Sequence, residues 1–411
     1  MSGSFENVAA VPGCRNWDRL IHREKELYGR ADDIRSPFGR DYTRVLHSLA
    51  FRRLKHKTQV FFNAGDNDHV CTRMEHVLHV ESVSSTIASF LGLNTELTKV
   101  ISMAHDLGHA PFGHQGEKVL KSLSEEYLGT GFWHEKNGLY ICDNIELLED
   151  NEMNLQGLDL TYAVRDGIIS HCGEVDSNAI VPRDDLFDLE EFDSPGKYEA
   201  ATWEGCVVKF SDKIAYLGRD LEDARMMGIL QIGQIKELEK IAGIRNETVN
   251  TTVIMHNAII DLCRHSSPKD GLRLSDDVYR QISEIKKFNY ENIYLSPKLI
   301  EINKKAEENL KVLFLGLEKL YSGSETIRDL VKDHKGNKVL EDFAVFLSMY
   351  CDQEAVKGTG LGPLAERCLN RKVYGNLETR SVYRAAVRDF IAGMTDVYAE
   401  NACKEIICSE S

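Results

Sequence analysis

The 411-residue sequence predicts an all-α fold, a helical core with a C-terminal helical extension. Three observations carry this. Only 8 prolines occur and long segments hold none, so little in the chain forbids a helix. Apolar residues recur at helical spacing, as at Met74, Val77, Val80, Val83, Ile87 and Phe90/Leu91, and again at Val207, Phe210, Ile214 and Leu217. Glycine and proline fall where such patterns stop, as at Gly108 and Pro111. The expected division is a flexible N-terminus (1–13), a core (14–230) and a helical extension packing on it (231–411).

Composition narrows the function. A net charge of −15 argues against nucleic acid and anionic membrane as partners, while leaving room for a local basic pocket. No apolar run reaches the length of a membrane span, and the N-terminus lacks a signal-peptide apolar segment. The 10 cysteines are scattered without a CxxC pair, which reads as reduced thiols in a cytoplasmic protein.

In order, Cys14 to Tyr28 reads as a short helix. Pro37 and Gly39 mark a turn, and a helix follows from Asp41 with Arg40, Arg44, Arg52 and Arg53 alongside. These arginines form either a solvated face or a cradle for phosphates. Lys57 to Phe62 predicts a short strand and Asn63 to Val70 a loop. A helix from Thr72 carries His76 and His79, with Arg73 one turn before His76. Helices are expected over Leu97–Leu107, Gln115–Leu128, from Phe132 onward, and over Leu158–His171. Residues 173–200, rich in acids, read as an exposed loop. The helix from Thr202 to Gly228 places Asp212, Tyr216 and Asp220 on one stripe beside Lys213, which fits a wall facing a ligand. Further helices are expected at about 246–264, 275–289, 296–321, 335–350 and 379–406, with a basic loop between 357 and 379.

The densest chemistry is Ala104-His105-Asp106-Leu107-Gly108-His109-Ala110-Pro111-Phe112-Gly113-His114. An isolated His-Asp pair is ordinarily a buried helix cap. Here His76 lies upstream and Asp212 downstream, each in a helical pattern. An imidazole and a carboxylate at a helix end can hold one divalent ion with such partners.

The order His76, His105-Asp106, Asp212 resembles the HD metal-dependent phosphohydrolases. Longer strings resemble one branch, the bacterial dGTPase-like deoxynucleoside triphosphate triphosphohydrolases. They are Phe51-Arg52-Arg53-Leu54-Lys55-His56-Lys57-Thr58-Gln59-Val60-Phe61, Thr72-Arg73-Met74-Glu75-His76, Phe132-Trp133-His134-Glu135, Ser211-Asp212-Lys213-Ile214-Ala215-Tyr216 with Asp220, and Ile391-Ala392-Gly393-Met394-Thr395-Asp396. The likeness covers residues 15 to 230 and the last thirty, with little between. It implies an HD-domain core and cleavage of deoxynucleoside triphosphates, dGTP among them, into deoxynucleoside and tripolyphosphate.

Carried onto this chain, the resemblance implies that His76, His105, Asp106 and Asp212 hold a divalent metal. Such ligands suit Mn, Fe, Ni, Co or Zn, and can also work with Mg. His114 is the first choice for the general acid at the leaving 5′ oxygen, with His109 and His134 in support. Arg73 and Lys213 would pair with phosphates, Gln59 and Asp220 would bond the 3′-hydroxyl, and Tyr216 would lie against the sugar and exclude a 2′-hydroxyl. A homo-oligomer with a nucleotide activator at a subunit interface belongs to the same expectation. His79 departs from the family pattern, which commonly has an acid there. The alternatives are another HD phosphohydrolase, such as a nucleoside 5′-monophosphatase or an alarmone or cyclic-nucleotide phosphodiesterase, and a non-catalytic nucleotide sensor.

Overall fold

The computed structural model describes residues 5–29, 32–61, 69–172, 178–242 and 251–409. Its core helices are α1 (Pro37–His47), α2 (Leu49–Arg53), α3 (Arg73–Leu91), α4 (Thr95–Ala104), α5 (Gly113–Leu128), α6 (His134–Tyr140), α7 (Tyr162–Ser170) and α8 (Trp203–Met226). Beyond them run α9 (Ile232–Ile241), α10 (Thr251–His265), α11 (Asp276–Asn289), α12 (Pro297–Glu318), α13 (Thr326–Asp333), α14 (Lys338–Tyr350), α15 (Arg380–Ala392) and α16 (Asp396–Ser409). The fold is all-α, as expected. Strand is confined, among the described residues, to two antiparallel two-residue pairs, Leu148–Glu149 with Leu155–Gln156 and Ala179–Ile180 with Leu272–Arg273.

Local chemistry sets the ends of α3. Thr72 and Glu75 form a reciprocal capping box, and Gly92, at φ +80°, closes the other end in the left-handed region. α3, α4 and α8 pack pairwise on one another, and α7 packs on α4 and α8. Their shared core holds Phe38, Val45, Val77, Val80, Leu97, Ile101, Leu107, Val164, Ile168, Val208 and Ala215. A second core joins α5 to the C-terminal helices through Leu120, Leu123, Leu310, Phe314, Phe343, Tyr383 and Ile391.

Several expectations change. Over Cys14–Tyr28 only the turn Trp17–Leu20 is helical: Asn16 and Glu26 have positive φ, and Arg23 is drawn into a buried pair with Asp41. In the segment expected to be flexible, residues 1–4 lie outside the described residues, whereas Phe5, Ala9 and Ala10 are buried and the Phe5 N–H donates to Leu91 O at 3.0 Å. Lys57–Phe61 forms no strand beyond a single bridge between Thr58 and Thr72, and residues 62–68 lie outside the described residues. The loop at 173–200 is described from 178 on and is anchored there: Ile180, Leu189, Phe192 and Ala200 are buried, and Arg183 pairs with Asp166.

Residues 246–250 of one expected helix also lie outside the described set. The helix expected over 379–406 is two, broken between Ala392 and Asp396. α9 and α13 were not expected, and Gly362–Arg367 forms a helical turn in the basic loop. Neither reading of the arginines fits all four. Arg44 is buried, donates to Leu158 O and Asp159 O, and lies over the Tyr28 ring. Arg40 pairs with Asp33 and Arg53 with Glu146, while Arg52 is exposed. All ten cysteines are free thiols, and no helix among the described residues is long and apolar enough to cross a membrane.

Candidate active site

Four side chains from three elements converge where α3, α4 and α8 meet. His76 projects from the first turn of α3. α4 ends at Ala104, three residues earlier than expected, and a 3-10 turn, His105–Gly108, presents His105 and Asp106. Asp212 comes from α8. His76 Nε2 is 3.0 Å from Asp212 Oδ1 and 3.8 Å from Asp106 Oδ2. His105 Nε2 is 3.5 Å from Asp106 Oδ1 and 3.9 Å from Asp212 Oδ1.

The turn depends on a close backbone approach. A Cβ on Gly108 would stand 2.0 Å from His134 O and 2.2 Å from Gly138 N, so only glycine lets α6 sit against it.

The donor set fits a divalent ion. His105 Nδ1 lies 2.6 Å from Ser102 O. A carbonyl only accepts, so Nδ1 carries the hydrogen and Nε2 faces the carboxylates with a lone pair. That Nε2 is buried and has no hydrogen-bond partner among the described residues. Ligand atoms of His76, His105 and Asp212 lie within 4.8 Å of one another, as do those of His105, Asp106 and His171.

Arg73, fully buried, donates from Nη1 to Asp106 Oδ2 at 2.7 Å, and His109 Nε2 is 3.0 Å from Asp106 Oδ1. Burial works against the Asp106 charge, but His109, Arg73 and His105 outweigh it and hold the carboxyl well below its usual range. Asp212 is likewise lowered, by its bond to His76 against burial.

A second layer of imidazoles lies beside this group. The His109 and His134 rings stack at 3.8 Å, with His114 5.3 Å from the first and 6.0 Å from the second. Burial and the nearby Arg73 push His109 well below its ordinary value. His134 moves the other way: burial opposes its charge, but Glu135, Glu117 and Cys172 raise it. Glu117 ties the layer together, 3.0 Å from His134 Nδ1 and 3.6 Å from His114 Nδ1. His114 itself is largely exposed, at 70 % for its side chain.

The remaining expected residues flank this centre. Gln59 and Asp220 are buried, and Gln59 Oε1 and Asp220 Oδ1 have no hydrogen-bond partner among the described residues. The other Asp220 oxygen accepts from the Tyr294 hydroxyl. Burial raises Asp220 to about 6, although the Tyr294 bond and the charges of His76, His114 and Arg73 lower it. Tyr216 and Lys213 are half-buried on the same helix. Burial, Lys209 and Lys286 lower Lys213 to about 8. Arg73 is committed to Asp106 through Nη1, rather than standing open to a phosphate. His79 is held against the Arg219 guanidinium, 2.7 Å from Nη2.

Sequence reasoning missed Glu117, His171, Cys172 and Tyr294. Only Glu117 had a signal, three residues after His114 on one helical face.

The HD domain family model matches residues 73–217. The chain is similar to the "deoxyguanosinetriphosphate triphosphohydrolase-like protein" of Leptospira interrogans, 33% identical over 95% of this chain and 93% of that protein. It also resembles those of Caldanaerobacter subterraneus (33%, covering 93% and 90%) and Clostridium perfringens (30%, covering 98% and 95%). The chain belongs to the deoxyguanosinetriphosphate triphosphohydrolase-like family. It is thus a hydrolase on the HD scaffold, with histidine and aspartate groups that could hold a metal. The C-terminal Asp396 also reaches the centre. It accepts from Thr58 N–H (2.9 Å), Thr58 Oγ1 (2.7 Å) and Phe112 N–H (2.9 Å), fixing both the Gln59 segment and the turn before His114.

Proposed function

We propose that the protein hydrolyses deoxynucleoside triphosphates, dGTP among them, to deoxynucleoside and tripolyphosphate. His76, His105, Asp106 and Asp212 would hold a divalent ion. When bound, the ion supplies Lewis-acid polarisation of the α-phosphate and lowers the pKa of water.

The chain's own groups do the rest. His109 donates through Nε2 to Asp106, so its buried Nδ1, without a partner among the described residues, offers a lone pair to orient water. His114, exposed at the mouth and backed by Glu117, gives a proton to the departing 5′ oxygen. His134, locked by Glu117, supports that dyad. Lys213, still protonated at neutral pH, meets the phosphates, and Arg73 does so only through nitrogens not spent on Asp106. Asp220 accepts the single proton of the 3′-hydroxyl, Gln59 bonds the same hydroxyl through its side-chain amide, and Tyr216 closes the space a 2′-hydroxyl would need.

The observation that carries this reading is the pair of buried, unsatisfied acceptors, Gln59 Oε1 and Asp220 Oδ1, beside the His/Asp group. A buried acceptor without a donor costs about 1–3 kcal/mol, and a substrate hydroxyl relieves that cost for the one acceptor it donates to.

The test is product analysis. Protein with Mn or Mg is given each dNTP and GTP, singly and mixed, and products are separated by anion exchange. Tripolyphosphate with deoxynucleoside, and none from GTP alone, is expected. Faster turnover in mixtures would support a nucleotide activator. Pyrophosphate, or turnover of monophosphates only, would replace the reading with another HD phosphohydrolase.

A further inference from the structure

A second set of ligand atoms gathers at the C-terminal end of α7, beyond the four residues assigned to the first ion. His171 and Cys172 follow α7, and His134 opens α6. A ring nitrogen from each histidine and the Cys172 Sγ lie within 4.8 Å of one another, and His134 Nε2 is 3.3 Å from Sγ.

Each histidine has its other nitrogen committed. His134 Nδ1 is 3.0 Å from Glu117 Oε2, and His171 Nδ1 is 2.7 Å from Ile168 O. Both acceptors only accept, so each Nδ1 carries hydrogen. Burial keeps His171 neutral, so its Nε2 presents a lone pair. The His134 Nε2, protonated because burial is outweighed by Glu135 and Glu117, presents one once that proton leaves. Metal-bound histidines are held by this kind of outer hydrogen bond. His171 is 1% exposed, and its Nε2 has no partner among the described residues. Nitrogen and sulfur ligands of a tetrahedral zinc, at roughly 2.1 and 2.3 Å from the ion, stand about 3.5 Å apart, close to the 3.3 Å found here.

We propose that His134, His171 and Cys172 form a second metal site, for a thiophilic divalent ion such as zinc. Three protein ligands leave a fourth position for water or a phosphate oxygen. Binding replaces the S–H bond of Cys172 and the Nε2–H bond of His134 with bonds to the metal and releases both protons to solvent. The two centres differ in chemistry: the first offers imidazole and carboxylate, the second a thiolate, which selects softer ions. They adjoin through His171, which also lies with His105 and Asp106. A filled second site would deny His134 Nε2 a proton, coupling metal supply to the His114–Glu117–His134 layer. The site itself stands on geometry and holds whichever phosphate ester is cleaved.

The test uses full-length protein stripped by chelator and titrated with Co(II), followed in the near ultraviolet for thiolate-to-cobalt charge transfer. The first centre has no sulfur and cannot produce that band. The wild type is expected to show it and bind two equivalents. Cys172→Ser and Cys172→Ala should lose the band and keep one equivalent. His171→Ala, which removes a ligand outright, should weaken the band's titration by at least about 100-fold, the upper end of the cost of losing an outer hydrogen-bond partner. His76→Ala should retain the band. Far-ultraviolet circular dichroism checks that each variant is folded. A wild type without the band, or a band unchanged in folded Cys172→Ser, would overturn the proposal. Because the readout is spectroscopic, failure of the dNTP reading leaves it intact.

Discussion

Glu117 holds His134 twice: Oε1 accepts its backbone N–H at 3.0 Å, and Oε2 lies 3.0 Å from its ring Nδ1. The same carboxylate backs His114. Burial opposes its charge, but His134 and the His114 bond hold it far below its usual range, so it stays ionised throughout the working pH range. Glu117→Gln keeps the shape and removes the charge. It should lower kcat by about 10²–10⁴-fold with the ion at His76, His105, Asp106 and Asp212 still bound, and flatten the limb of the pH–rate profile that reports the acid. Wild-type kcat in this variant would remove Glu117 and its histidines from the mechanism.

Arg73 and Asp106 are a buried ion pair. Removing one partner of such a pair costs about 3–5 kcal/mol, because the other charge is stranded. Arg73→Met should therefore lose about that much stability to urea in chelator-treated protein. With the divalent ion present the loss should shrink, since the ion compensates Asp106. Equal losses in both conditions would mean that Asp106 does not bind the ion.

Asp396 joins the last helix to the centre through three donors, two on Thr58 and one on Phe112. Asp396→Ala strands the two backbone N–H groups, and a cost of about 4 kcal/mol is expected at the midrange of two such losses. Asp396→Asn keeps an acceptor and should cost less. Urea unfolding compares the two, and equal losses would show that the carboxylate charge, which both variants remove, matters rather than its hydrogen bonds.

Asp223, which accepts from the Cys71 N–H at 3.1 Å, has its carboxyl raised to about 7 by burial first, with Asp220 adding to it. An ordinary aspartate titrates near about 4, so folding takes up a proton between these values. Its contribution to stability is complete below about pH 4 and is lost as pH rises to about 7, at up to about 1.4 kcal/mol per unit. Asp223→Asn should flatten that part of the stability–pH curve. An unchanged slope would show that the carboxyl is not protonated in the folded protein.

The convergence of His76, His105, Asp106 and Asp212 was legible because their order resembles that of the HD phosphohydrolases; helical periodicity alone places residues on helices and says nothing of which helices meet. What escaped depended on distant partners. Lys57–Phe62 has strand-forming residues, yet the Thr58 N–H is taken by Asp396, 338 residues away, and no strand pairs with Lys57–Phe61 among the described residues. Cys14–Tyr28 unwinds because Arg23 is worth more against Asp41 than in a helix. Glu117 looks like any surface acid until α6 folds His134 over it. His171 and Cys172 close a helix without a motif, and only the approach of His134 makes them a group. Tyr294 arrives from the far half of the chain to hold Asp220.

The most direct measurement is hydrolysis of dGTP in ¹⁸O-labelled water, with the divalent ion present and mass analysis of both products. Cleavage between the α-phosphorus and the 5′ oxygen predicts label in the tripolyphosphate and none in the deoxyguanosine. Label in a monophosphate or pyrophosphate, or in the nucleoside hydroxyl, would contradict the assignment of water to the α-phosphorus and of the proton to the 5′ oxygen.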